Sequence, residues 1–202
     1  DLAIRHDLII VADEIYGRMI YAPNEHLSIA TLKGMRERTI TLNGFSKTYS
    51  MTGWRVGYLA APAELVEMLV EPRHTLSINT CTISQYAALA ALTGPQEPID
   101  AMIDEYAERR AWLMPALTEA GFSYGHPGGA FYIYTNVSTA GLPSPLFCER
   151  LLQETGVMLF PGTMFGDEST DYIRISYLQP LPMIKEAMER IASFTSSARA
   201  AQ

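Results

Sequence analysis

Asn43-Gly44-Phe45-Ser46-Lys47-Thr48-Tyr49-Ser50-Met51-Thr52-Gly53-Trp54-Arg55-Val56-Gly57-Tyr58 is a polar, glycine-punctuated stretch between two apolar strand candidates, residues 39–43 and 56–61. Loops at strand ends are where α/β proteins place their sites, because the strands hold the flanks rigid while the loop carries the chemistry. This loop offers an amine at Lys47, hydroxyls at Ser46 and Thr48, and a guanidinium at Arg55, eight positions beyond the lysine. A permanent cation near an amine disfavours the amine's charged form, so more of it is free to attack a carbonyl and form a Schiff base. A guanidinium in the same loop would hold a phosphate by a two-point contact. Other catalytic motifs fail on spacing. A Walker loop needs Gly directly before its Lys, where Ser46 stands, and an S-x-x-K acyl-transfer motif needs Ser at the place of Gly44. Taken singly, Lys47 also reads as a solvated loop lysine and Arg55 as a surface ion-pair partner, the commonest fate of both residue types.

Upstream, Leu8-Ile9-Ile10-Val11-Ala12 is a continuous apolar run, which predicts a strand buried on both faces of a parallel sheet. It leads into Asp13-Glu14-Ile15-Tyr16. A carboxylate at a strand's end can face a cationic ring nitrogen and keep it protonated, and a phenol three positions on can bond a ring oxygen. Alone, Asp13 is as readily a helix N-cap. Downstream, helical spacing predicts helices over 63–70, 84–92 and 98–120, so strand and helix alternate as in an α/β domain. From Gly121 the texture changes. Strands are predicted over 131–135, 157–160 and 172–176, helices over 145–154 and 181–194, and a turn at Pro127-Gly128-Gly129. This reads as a separate α+β lobe with a boundary near residue 110, closing on a frayed tail over 196–202.

The Asp13-Glu14-Ile15-Tyr16 element, Ser46-Lys47 followed by Met51-Thr52-Gly53-Trp54-Arg55-Val56-Gly57-Tyr58, and the late Tyr172-Ile173-Arg174-Ile175-Ser176 together resemble the class I/II aminotransferases, which are fold type I pyridoxal-phosphate enzymes. Lys47 stands thirty-four positions after Asp13, and both this spacing and that from Lys47 to Arg55 agree with the family. The resemblance runs nearly end to end. It implies that residues 1–110 are the C-terminal part of the cofactor-binding large domain, a mostly parallel sheet with helices, and that residues 111–202 are the small C-terminal domain. It further implies pyridoxal 5'-phosphate on Lys47, Asp13 on the pyridine nitrogen, Tyr16 on the ring hydroxyl, Ser46 and Arg55 on the phosphate, and Arg174, at the end of a predicted strand, on the substrate α-carboxylate. The implied substrates are an amino acid and a 2-oxo acid. A homodimer is the family norm. Two alternatives use the same motifs: a fold type I carbon–sulfur β-lyase, and the aminotransferase-like effector domain of a transcription regulator. A catalytically silent fragment is a third.

Gly44 departs from the pattern, because many relatives carry a hydroxyl three residues before the lysine; the phosphate would then lean on Ser46 or on backbone N–H groups. The family's stacking aromatic, glycine-rich phosphate loop and ring-facing Asn all precede the Asp13 position. With the start Asp1-Leu2-Ala3-Ile4-Arg5 lacking Met, the expectation is the C-terminal half of an enzyme, incomplete by itself.

Composition narrows the partner. Of 202 residues, 48% are hydrophobic and 18% charged, which is globular and not disordered usage. The net charge of −7, without a basic stretch, argues against nucleic acid or an anionic membrane and for a small molecule. Cys81 and Cys148 stand far apart with no C-x-x-C pairing, which suggests neither a disulfide framework nor zinc and fits a cytoplasmic location. No apolar run reaches the ~18 residues of a membrane helix. His6, His26, His74 and His126 lack metal-ligand spacing and read as surface or packing residues, while Trp112 and the methionines read as core.

Overall fold

The computed structural model describes residues 1–200. It divides into two compact units, Asp1–Asp100 and a second beginning at Ala101, with the division inside one long helix. In the first unit a short helix α1 (Leu2–Arg5) leads into strands β1 (Ile10–Asp13), β2 (Thr39–Gly44) and β3 (Gly57–Ala60), followed by helices α2 (Ala63–Ser77) and α3 (Thr82–Thr93). Strands β1 and β2 are parallel, with Asp13 opposite Leu42. Residues 45–56 form a folded loop and not a crossover helix, so β3 returns antiparallel, with Gly44 opposite Gly57.

The apolar run at the start behaves differently from its reading as a doubly buried strand. Pairing begins only at Ile10, and Val11 is 63% exposed while Ala12 is buried. Successive strand side chains point to opposite faces of the sheet, and the face that Val11 shares is open while the one that Ala12 shares is covered. Helix α2 runs past the predicted stop, through Pro72 to Ser77, with one N–H donor fewer at the proline. Phe45, Met51 and Ala88 form a small core under the loop, with Tyr49 and Val56 packed against it.

The long helix α4 (Glu97–Glu119) leads into an antiparallel sheet of β4 (Ser123–Tyr124), β5 (Tyr132–Asn136), β6 (Phe160–Pro161) and β7 (Tyr172–Ser176), in the order β4-β5-β7-β6. Helices α5 (Ser144–Thr155) and α6 (Leu181–Ala200) complete the second unit. Ile133, Thr135, Ile173 and Ile175 alternate onto the buried face. Phe147 and Leu151 of α5 and Ile184, Met188, Ile191 and Phe194 of α6 supply a helical apolar stripe. Gly156, at φ +73°, ends α5 in the left-handed region open to glycine, its N–H bonded to Leu152.

Three expectations shift here. Of the strand predicted over 157–160, only Phe160 pairs, together with Pro161. Helix α6 does not fray at Ser196, because burial of Thr195 and Ala198 carries it to Ala200; residues 201–202 lie outside the described residues. Met19, Met35, Met51 and Met188 are core, but Met68, Met158, Met164 and Met183 are exposed, and Trp112 is half-buried with the Lys185 ammonium 5.5 Å above its ring.

Candidate active site

The loop after β2 is built to hold a lysine still. The Phe45 N–H donates to the Val56 carbonyl across its neck (3.5 Å), and the Phe45 carbonyl accepts from both Tyr49 and Met51 N–H (3.3 and 3.2 Å). Ser46 to Tyr49 therefore turn tightly above the buried Phe45 ring, which packs on Tyr49 and Tyr58 (centroids 5.3 and 6.1 Å). Two non-glycine residues in this loop, Ser50 and Arg55, sit at φ +53° and +50°. Left-handed conformations of this kind cost roughly 1–3 kcal/mol each and cluster where geometry serves a site. Gly44 and Gly57 make the neck possible: a Cβ at Gly44 would lie 3.1 Å from the Gly57 Cα, and one at Gly57 would lie 3.0 Å from the Asn43 carbonyl. This close approach accompanies the missing hydroxyl at position 44.

Asp13 and the Lys47 turn emerge at the same edge of the parallel pair, the C-terminal ends of β1 and β2. Asp13, Ser46, Lys47 and Arg55 line one cleft of about 400 Å³ with Ile15, Leu42, Asn43 and Thr52. The Tyr16 ring lies outside that lining but with its centroid 6.0 Å from Lys47 Nζ. Asp13 caps no helix; its Oδ1 accepts the Ile15 N–H (3.1 Å) and fixes a tight turn. Arg55 Nη1 donates to the Thr52 carbonyl (3.0 Å), which anchors the guanidinium while leaving it further N–H groups. Thr48, read from sequence as a loop hydroxyl beside the lysine, is buried and lines a separate cleft of about 250 Å³ with Glu14, Arg18 and His26. Asn43 and Thr52 were missed as lining residues; their signal was their place in the polar stretch that opens at Asn43.

Arg174 belongs to the second unit. It is the middle residue of β7 and not its end, opposite Tyr134 on one side and Phe160 on the other. Its guanidinium carbon lies 4.2 Å from the Phe165 centroid, 4.5 Å from Tyr132 and 5.3 Å from Phe160. Aromatic faces attract the cation but satisfy none of its N–H groups. Nε is buried and has no hydrogen-bond partner among the described residues. An orphaned donor of this kind is costly unless a ligand meets it.

The remaining candidates are structural in setting. His26 lies against Glu14, and His126 against the buried Arg110, whose Nε donates to the Pro127 carbonyl (2.6 Å). No group of three or more His, Cys, Asp or Glu side chains is arranged to hold a metal among the described residues. Both cysteines are free thiols, Cys81 exposed and Cys148 buried. No helix among the described residues is long and apolar enough to cross a membrane.

A family model for "Aminotransferase class I and II" matches residues 1–191. The chain belongs to the class I and II aminotransferases. Members of this family are pyridoxal-phosphate-dependent. The chain is 42% identical over 193 residues to an aspartate aminotransferase of Pyrococcus abyssi and 43% identical over 195 residues to an aromatic-amino-acid aminotransferase 2 of Thermococcus litoralis, covering in each case 95% of itself and 50% of the relative. It thus spans about half the length of these curated relatives. Its fold superposes on the crystal structure of an aromatic aminotransferase from Pyrococcus horikoshii with a TM-score of 0.93 at 41% identity, over 98% of this chain and 53% of that one. The structural neighbours are fold type I aminotransferases, and the α/β unit followed by an α+β unit is a part of that fold.

Proposed function

We propose that this chain is the C-terminal half of a pyridoxal-phosphate-dependent aminotransferase that moves an amino group between an amino acid and a 2-oxo acid, with Lys47 as the cofactor-bearing residue. The observation that carries the reading is the single cleft shared by Asp13, Ser46, Lys47 and Arg55. That donor set fits the cofactor: an amine for its aldehyde, a carboxylate for its ring nitrogen, a hydroxyl and a guanidinium for its phosphate. When bound, pyridoxal phosphate supplies an electron-withdrawing ring that weakens the substrate Cα–H bond.

The chain's own residues do the rest. The Asp13 carboxylate accepts the ring N–H and keeps that proton in place. The Tyr16 hydroxyl bonds the ring oxygen. Ser46 and Arg55 hold the phosphate, Arg55 by the fork geometry that a lysine's point charge lacks. Lys47 Nζ takes the proton from the substrate Cα and returns it elsewhere as a general base and acid. Arg174 receives the substrate α-carboxylate, and its unpartnered Nε supports that role.

In this reading residues 1–110 are the C-terminal part of the large domain and residues 111–202 the small domain, in a cytoplasmic homodimer with small-molecule substrates and neither nucleic acid nor membrane as partner. The relatives quoted above are aminotransferases, which favours transamination over the β-lyase and effector-domain readings. Borohydride reduction of the holo protein followed by peptide mapping is expected to leave the pyridoxyl group on Lys47; label on Lys33 or Lys185 would overturn the assignment. Arg174→Lys is expected to raise KM for the amino acid about tenfold or more, the size of losing a charge-assisted bond, with the cofactor's absorbance unchanged. Unaltered KM would remove Arg174 from the site.

A further inference from the structure

Asp13 and Glu14 are neighbours on an extended backbone, so their side chains leave on opposite sides. Asp13 faces the cleft of Lys47, and Glu14 the second cleft, with His26, Thr48 and Tyr49. There the Glu14 carboxylate is fully engaged. Ser28 Oγ donates to Oε1 (2.7 Å), and His26 Nε2 lies 3.1 Å from Oε2. Only 11% of the Glu14 side chain is exposed.

The same turn is gripped a second time. A Cβ at Gly17 would lie 3.1 Å from the Glu14 carbonyl oxygen and 3.1 Å from His26 Cδ2, so glycine at this position lets the imidazole rest on the turn's backbone. The backbone of residues 14–19 is bonded within itself, Gly17 N–H to the Glu14 carbonyl and Met19 N–H to the Tyr16 carbonyl (both 2.8 Å), while Glu14 N–H extends the ladder to the Leu42 carbonyl (2.9 Å). Asp13 stands at one end of this turn and Tyr16 inside it. Asp13 itself is exposed, and its side chain accepts the Ile15 N–H.

We infer that Glu14, His26 and Ser28 form a clamp behind the Asp13–Tyr16 turn and act as positioning residues: they fix the angle at which the Asp13 carboxylate and the Tyr16 hydroxyl meet the cofactor ring. This rests on the proposed cofactor site at Lys47. Burial of the Glu14 carboxylate is outweighed by its bonds to Ser28, His26 and the Ile29 N–H, which together hold its pKa below the ordinary value, as a persistent anion in such a clamp requires.

The test uses the holo protein and Glu14→Gln, Ser28→Ala and Ser28→Thr. Glu14→Gln and Ser28→Ala are expected to weaken pyridoxal phosphate binding about tenfold, the size of one lost bond to a charged group, and to shift the visible circular dichroism band of the lysine-linked cofactor, with Ser28→Thr restoring both. In an Asp13→Asn background Glu14→Gln is expected to add little, because it acts through Asp13. In the cofactor-free protein the amides of Ile15 and Gly17 are expected to exchange faster in Glu14→Gln. Binding and dichroism unchanged in both Glu14→Gln and Ser28→Ala, or full additivity with Asp13→Asn, would overturn the clamp. Should Glu14→Gln fail to fold, Ser28→Ala and its Thr rescue decide alone. Failure of the underlying site would look different: the unsubstituted protein would then show no lysine-linked absorbance at all.

Discussion

In the unit that begins at Ala101, the apolar residues of β5 and β7 are buried together with the stripes of α5 and α6, and Ile133, Phe147, Leu151, Ile173 and Tyr177 have no exposed surface. In Asp1–Asp100 the same kinds of residue stay in water: Val11 on β1, Leu76 at 86% exposure on α2, and Ile83, Tyr86 and Leu89 on α3. Yet the more open unit carries the lysine cleft, and its small core of Phe45, Met51 and Ala88 sits beneath the loop that presents Lys47. Local hydrogen bonds and two strained residues give that loop its shape, so the geometry of a site and the closure of the surrounding core are separable. Exposed apolar area on this scale is unusual for a free-standing globular surface. It accompanies a chain that spans half the length of its relatives.

The sharpest way to break this comparison is to cut one large side chain from each unit. Phe147 packs edge-on against Phe122 and Phe194 (centroids 6.2 and 5.3 Å), so Phe147→Ala is expected to cost about 3–5 kcal/mol. Leu76→Ala, on the open face of α2, is expected to stay within about 0.5 kcal/mol. Urea unfolding of both variants checks this. Equal costs would mean that the α2 face is covered in solution and that the two units do not differ as described.

One cysteine in each unit offers an independent probe of the same difference. Cys81 stands at the N-cap position of α3, where the nearby N–H groups of Ser84 and Ile83, with the Ser84 hydroxyl, pull its thiol below the ordinary value. Burial pushes the Cys148 thiol up to about 11. At pH 8 roughly one Cys148 in a thousand would be thiolate even if reagent could reach it, and the thiolate is the nucleophile. Iodoacetamide followed by mass mapping is therefore expected to modify Cys81 while Cys148 waits for unfolding. Comparable native rates would show that the second unit opens far more readily than its buried side chains suggest.

Much of this was legible in the sequence, and the residues that were not share a physical reason. Lys47, Asp13, Ser46 and Arg55 could be grouped because loop position and spacing are local properties, and β7 could be read because Ile173 and Ile175 alternate with Tyr172 and Arg174. Burial is not local. Val11 reads as core in any window, but whether it is covered depends on what packs on its face of the sheet, and that face is open. Thr48 looked equivalent to Ser46 because both flank the lysine, and only the turn around Phe45 decides which hydroxyl faces the cleft. The pairing of Glu14 with His26 and Ser28 spans a turn with no periodicity to betray it.

The smallest expected effect is a difference between the units in acid. The folded Glu14 carboxyl lies below its ordinary value of 4.5: burial alone would raise it, and the bonds from Ser28 and His26, the charge of His26 and the Ile29 N–H reverse that. A carboxyl whose folded pKa is depressed contributes stability that is fully present above the unfolded pKa and is lost as pH falls through the folded one. Lowering the pH from 6 to below 4 is therefore expected to loosen the turn of residues 14–18, speeding exchange at Ile15 and Gly17 by up to about tenfold beyond the intrinsic change, while Ile173 and Ile175 in the second unit do not follow. Arg18, Tyr49 and Tyr58 face the same cleft. Asp100 pairs with Arg18 at 3.1 Å beside this cleft. Glu14→Gln tests this directly: the acid response should vanish in that variant, and its persistence would mean that Glu14 does not carry it. An acid response of equal size at Ile175 would erase the contrast between the units, because the loosening would then be global.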